Sequence, residues 1–255
     1  MPMQITAGTY EDAAASEIVI ITVGTPGKFP GNRLDLLAGS VTLLRECLAK
    51  LMAENFEGIL IIATNPVDVL TYIAQMESGL PIGHVIGTGT LIDSERLRFI
   101  LGASLNLDAR SIHASVIGEH GESSVAVWSA AHIAGLPLAL YPGADALPSR
   151  DDLLNSVRQA GPEVAELKGN TSYAIAACVV RICEAILHDE RSALVVSTRM
   201  TGQYGLHNVS LSTPCIVGKA GIESVLELRL DPEEQKALEH SASVLQHAAA
   251  QVKAI

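Results

Sequence analysis

The sequence predicts an α/β chain that opens as a parallel sheet with crossover helices and continues as a mixed α+β half. Three observations carry this. Short apolar bursts alternate with helical stretches as far as Gly87, the pattern that parallel strands joined by helices require. Beyond Gly87 the order of helix-like and strand-like runs becomes irregular. And 48% hydrophobic against 18% charged residues, over 255 positions, supplies a sizeable core.

Element by element, Glu17–Gly24 reads as a buried strand. Arg33–Ala53 reads as a helix with Leu36, Leu37, Val41, Leu44 and Leu48 on one face. Gly58–Thr64 is a second strand, ended by Asn65-Pro66. Pro66 suits the first turn of a helix over Val67–Gln75. His84–Gly87 is a short third strand. Asp93–Leu105 is helical, with Leu97, Ile100 and Leu101 spaced for burial. Ser111–Ile117 and Ser124–Trp128 read as strands flanking the turn Gly118-Glu119-His120-Gly121. Helices are predicted over Asp151–Glu166 and Thr171–Asp189, and strands over Ala193–Ser197, Val209–Val217 and Ile222–Leu230. Asp231-Pro232-Glu233-Glu234 combines a cap, a first-turn proline and acids at the positive end of the dipole, and starts a closing helix that runs to Val252.

A formal net charge of -11 repels phosphate backbones and argues against a nucleic-acid partner. Apolar runs such as Ile18–Val23 and Gly58–Ala63 are strand-length, too short to span a bilayer. Glu11 and Asp12 stand where a secretory leader would be basic, so a cytoplasmic location is expected. Cys47, Cys178, Cys183 and Cys215 fit no common zinc spacing and read as small buried hydrophobes, with no metal expected.

His120 sits in a glycine-flanked turn after an apolar strand, where its ordinary pKa of about 6.5 suits proton exchange. Asp93 and Arg96, three residues apart, share a helix face. They form a local ion pair or serve separate ends: Asp93 to charge an imidazole, Arg96 to grip a carboxylate through two parallel hydrogen bonds. Arg33 closes the glycine- and proline-rich segment from Gly24 to Asn32, from which it can be delivered to a site on loop closure. Asn65 ends a predicted parallel strand, the edge at which open α/β sheets bind ligands, or simply makes an Asn-Pro turn.

Ala63-Thr-Asn-Pro-Val-Asp68, Val85-Ile-Gly-Thr-Gly-Thr-Leu-Ile-Asp-Ser-Glu-Arg96 and Gly118-Glu-His-Gly-Glu-Ser-Ser124 together resemble the lactate/malate dehydrogenase family, in that family's order. Lys168-Gly-Asn-Thr-Ser-Tyr173 and Val209–Gly218 extend the resemblance over nearly the whole chain. It implies an oxidoreductase that uses NAD to interconvert a 2-keto acid and an L-2-hydroxy acid, in a homo-oligomer. His120 would donate and accept the proton, Asp93 would stabilise its imidazolium and Arg96 would bind the substrate carboxylate. Arg33 would polarise the ketone, Asn65 would touch substrate and nicotinamide, and Thr171 would line the side-chain pocket. Gly24, Thr25, Thr64, Asn65 and His120 would meet the nicotinamide half of the cofactor.

In the family, the residue six before the loop arginine is glutamine in lactate enzymes and arginine in malate enzymes. Here it is Gly27, or Lys28 with a shift of one, so a second substrate carboxylate lacks its clamp. With Ala126-Val-Trp-Ser129 and Thr171, this favours pyruvate and L-lactate over a branched acid or malate. Arg98 and His113 match positions where some bacterial members bind a sugar bisphosphate activator, or are a surface arginine and a strand histidine.

The resemblance also implies an incomplete doubly wound, Rossmann-like sheet. Residues 1–86 would be a partial NAD-binding domain and 87–255 the substrate domain, with the helix over 171–190 packing back on the former. The family's opening strand, Gly-x-Gly-x-x-Gly turn and helix have no counterpart, and Gly87-x-Gly89-x-x-Ile92 lacks the third glycine. Weak cofactor binding follows as an expectation. The alternative is a remnant or assembly partner without redox chemistry.

Overall fold

The computed structural model describes residues 3–24 and 33–252, and of residues 33–36 the backbone only. Thr25, Gly27, Lys28 and the Arg33 side chain therefore lie outside the described residues.

The chain opens with α1 (Tyr10–Ala14), β1 (Ile18–Ile21), α2 (Arg33–Ala53), β2 (Ile59–Ile62), α3 (Val67–Glu77), β3 (Val85–Gly87) and α4 (Leu91–Leu105). Five two-residue strands follow: β4 (Ile112–His113), β5 (Val116–Ile117), β6 (Val125–Ala126), β7 (His132–Ile133) and β8 (Leu136–Pro137). Then come α5 (Arg150–Lys168), α6 (Tyr173–Leu187), β9 (Ser192–Thr201), β10 (His207–Gly218), β11 (Gly221–Val225) and α7 (Pro232–Val252).

One six-stranded sheet, in the order β1-β2-β3-β9-β10-β11, runs through the molecule. Its first three strands are parallel and its last three antiparallel. The two halves meet at the single pair Gly87↔Ser197. That junction needs glycine: a Cβ on Gly87 would overlap Thr71 Oγ1 and stand 2.8 Å from Ser197 Cβ.

Each sheet face is covered by helices. Val41, Leu44 and Leu48 of α2 and Leu238 and Leu245 of α7 join the core on one face with α3. Cys178, Ile182, Ala185 and Ile186 of α6 pack on Ile59, Ile61, Ile86 and Val196 on the other. Every valine, leucine and isoleucine so buried contributes about 1.5–3 kcal/mol. A third cluster joins Leu97 and Leu101 of α4 to Leu153 and Val157 of α5 and to the short strands. Helix α3 is buried from Val67 to Gln75, Asp68 included. Helix α7 starts as its sequence predicts: Asp231 Oδ1 accepts from the backbone N–H groups of Glu233 and Glu234, both at 2.9 Å.

The structure corrects several element predictions. Ser111–Ile117 is not one strand. Ile112 and His113 pair with β7, whereas Val116 turns to the start of α4, taking the Ser94 hydroxyl at its N–H (3.0 Å) and the Thr90 hydroxyl at its C=O (2.5 Å). Strand β6 stops at Ala126, and Trp128 enters a 3-10 turn. Strand β9 extends to Thr201, and β11 ends at Val225. Helix α6 begins at Tyr173, which leaves Thr171 in the preceding turn.

Candidate active site

The site is built around the turn after β5. Its backbone N–H groups are taken one by one by three different elements. Gly118 donates to the Ser212 carbonyl of β10 (2.8 Å), Glu119 to Ser241 Oγ of α7 (2.8 Å), and His120 to Asp68 Oδ2 of α3 (2.7 Å). Gly118 has φ +83°, and a Cβ there would lie 2.7 Å from Ser241 Oγ, so the turn demands glycine twice over.

The ring of His120 is held from the first turn of α4, where its Nδ1 lies 2.5 Å from Asp93 Oδ2. Because the carboxylate accepts, Nδ1 carries the hydrogen and Nε2 remains for a ligand. Asp93 Oδ1 accepts from Arg96 Nη1 at 3.2 Å, so one carboxylate serves both cations. The side chain of Asp93 is 8% exposed, that of Arg96 20% and that of His120 25%, so the histidine and arginine reach solvent over a buried acid. Burial pulls the His120 pKa down, but the Asp93 hydrogen bond and charge, helped by the charge of Asp68, outweigh it and raise the pKa above the usual value. The guanidinium of Arg96 faces α5 at Gly161, where even a Cβ would stay 3.8 Å from both Nη atoms.

Asp93, Arg96 and His120 are thus brought together. Gly24, Thr64 and Asn65 follow β1 and β2 and so share the carboxyl edge of the parallel strands; Gly24 and Asn65 are exposed and Thr64 is buried. Thr171 is exposed in the turn between α5 and α6. Arg98 donates from Nε to the Ala114 carbonyl (3.1 Å) and pairs with Glu95 (2.8 Å). His113 stacks on His132 with ring centroids 4.6 Å apart. Burial, then the charges of His132 and Arg98, lower the His113 pKa.

Sequence reasoning assigned no role to Asp68. Its carboxylate, 1% exposed, also accepts from Ser197 Oγ at 2.6 Å, and burial pushes its pKa up to about 6. The available signal was an acid set between Val67 and Val69 in the first turn of a helix. A cleft of about 530 Å³ between α5 and α7, lined by Arg158, Glu234 and His240, contains none of Asp93, Arg96 and His120. Among the described residues no cluster of His, Cys, Asp or Glu could hold a metal, and no helix is long and apolar enough to cross a membrane.

Residues 1–87 match the lactate/malate dehydrogenase NAD binding domain, and residues 90–255 match the lactate/malate dehydrogenase alpha/beta C-terminal domain. The chain belongs to the lactate/malate dehydrogenase family. An L-lactate dehydrogenase of Thermoanaerobacter sp. (strain X514) is 45% identical over 96% of this chain and 80% of its own length. That of Priestia megaterium is 43% identical over 96% and 78%. The crystal structure of the minor L-lactate dehydrogenase from Enterococcus mundtii in its ligands-bound form superposes with a TM-score of 0.91 at 37% identity, covering 96% of this chain and 79% of that one.

The dehydrogenase family's cofactor, NAD, fits the residues present at one end. A Cβ on Gly24 would stand 3.0 Å from Thr64 Cγ2, so bare backbone keeps open the surface that a side chain would fill.

Proposed function

We propose that this chain is an NAD-dependent oxidoreductase that interconverts pyruvate and L-lactate. The observation that carries the reading is the His120–Asp93–Arg96 constellation, in which one buried carboxylate charges a proton donor and orients a carboxylate-binding arginine.

Gly24, Thr25, Thr64, Asn65 and His120 would border the nicotinamide. When bound, NADH supplies the hydride in the reducing direction and NAD takes it in the other. Arg96 grips the substrate carboxylate. Protonated His120 aims its Nε2–H at the ketone oxygen and releases that proton as negative charge grows there, while Nδ1–H stays on Asp93. Arg33 adds a second cation at the same oxygen, Asn65 fixes the keto acid, and Thr171 limits its side chain. In the reverse direction neutral His120 takes the hydroxyl proton. The lack of arginine at Gly27 and Lys28 leaves a dicarboxylate such as oxaloacetate without a two-pronged clamp for its second charge.

The enzyme works in the cytoplasm as a dimer or tetramer of identical chains. Exposed Phe99 on α4 and Val180 and Leu187 on α6 support the assembly. A sugar bisphosphate bound near Arg98 and His113 would pair with the guanidinium and favour the protonated imidazole that burial and its neighbours disfavour; a titration of activity and molecular mass with fructose 1,6-bisphosphate tests it.

The functional reading is tested by the turnover of pyruvate, oxaloacetate and a branched 2-keto acid at millimolar NADH. Pyruvate is expected to have the highest kcat/KM, and His120→Asn to lose roughly 10²–10⁴-fold of it. Preference for oxaloacetate, or wild-type rates in His120→Asn, contradicts it.

A further inference from the structure

His120 is approached by two carboxylates, and only Asp93 has been given work. Asp68 reaches it from below, out of the buried helix α3. We propose that Asp68 is a positioning residue for His120: its carboxylate fixes the backbone of the turn that presents the ring, and its charge is a second support for the imidazolium. This rests on the reading of His120 as proton donor and acceptor.

The contacts are specific. Oδ2 takes the His120 N–H at 2.7 Å. Oδ1 takes Ser197 Oγ of β9 at 2.6 Å and lies 3.5 Å from Ser212 Oγ of β10. Ser212 Oγ in turn accepts the Thr90 N–H, at the start of the helix that carries Asp93 (3.0 Å). The backbone of Ser212 exchanges both of its hydrogen bonds with Gly118 (2.8 and 2.9 Å). The network therefore ties the His120 turn and the Asp93 helix to one buried acid. Ser212 is held closely, since a Cβ on Gly89 would overlap its Oγ.

Packing alone does not call for a carboxylate here. An amide oxygen would accept the same N–H, whereas a carboxylate this deep suffers desolvation. Among the described residues no lysine or arginine pairs with Asp68. The ionisable groups facing it are His120 and Glu119 of the turn. From β9 and β10 it meets only the hydroxyls of Ser197 and Ser212, and Asp93 and Arg96 on α4 act on it through the histidine. What aspartate adds over asparagine is negative charge beside an imidazole, in surroundings where charge is poorly screened.

The test is an NMR titration of the full chain carrying ¹³Cε1-labelled histidine. Of the eight histidine signals, that of His120 is assigned by its loss in His120→Gln. In Asp68→Asn, which keeps the acceptor and removes the charge, the His120 pKa is expected to fall by about one unit while the other histidines stay put. An unmoved His120 in folded Asp68→Asn overturns the proposal and makes Asp68 a structural residue. Should Asp68→Asn not fold, Ser197→Ala takes its place. It leaves the carboxylate but withdraws a hydrogen bond, so the same shift at smaller size is expected and no shift overturns the proposal. Asp93→Asn serves as the separate arm: if it leaves His120 unmoved, the reading of His120 as a charged, Asp93-paired donor fails, independently of Asp68.

Discussion

The two sides of the site are built differently. On the proton-transfer side, three consecutive amides of the His120 turn are each claimed by a different element, and its histidine and arginine share a buried acid. On the cofactor side, Gly24 and Asn65 stand exposed at the ends of two strands, and Thr64 makes one long bond, 3.4 Å to the Ile21 carbonyl. The groups that must be aimed before charge develops are fixed by the fold without a ligand. The groups proposed to recognise the cofactor are left open to it.

This contrast can be broken or sharpened by substitution. The largest effect is expected in the pH dependence of stability. Asp68 has its carboxyl raised from 3.8 to about 6 in the fold, so its contribution is fully present below 3.8 and is lost as pH rises through about 6. Two pH units correspond to about 3 kcal/mol. Asp68→Asn should therefore gain stability relative to the wild type between pH 4 and pH 7, by up to that amount, in urea unfolding. A constant difference across this range breaks the account of Asp68 as a costly charge. Next, Arg96→Lys keeps a cation but loses the fork, and should lower kcat/KM for pyruvate by about 100-fold with NADH affinity unchanged; steady-state kinetics and an NADH fluorescence titration separate the two. Smaller still is a glycine pair that samples both sides. Gly118→Ala forces a left-handed backbone and crowds Ser241, and should cost about 1–3 kcal/mol and impair turnover. Gly24→Ala should cost less than about 1 kcal/mol and raise the KM for NADH instead. Equal losses of stability would erase the distinction between a built and an open side.

The fold was legible where the signal is local. The apolar spacing of Leu37, Val41, Leu44 and Leu48 delimits α2, and the cap at Asp231 starts α7. It was illegible where pairing is remote. His113 finds its strand partner at His132, and nothing near Ser115 announces that the next residues turn away to α4. The extension of β9 beyond Ser197, through Thr198, Arg199 and Thr201, was hidden by its polarity, which reads as a loop until these residues are paired with Leu211, Ser210 and His207 of β10. At the site, His120, Asp93 and Arg96 stood out one by one as residue types. Their convergence, and Asp68 beneath them, depends on contacts between residues 27 and 52 positions apart, which no window along the chain contains.

The most direct measurement is the pH dependence of kcat/KM for pyruvate reduction, in the wild type and in Asp93→Asn. The proposed reduction needs protonated His120, whose pKa the fold raises above its usual value, so wild-type activity should be highest on the acid side of that raised pKa and fall tenfold per pH unit beyond it. Removing the Asp93 charge should move that fall to lower pH. A profile with no alkaline fall, or one that Asp93→Asn leaves in place, would contradict proton transfer by the His120–Asp93 pair.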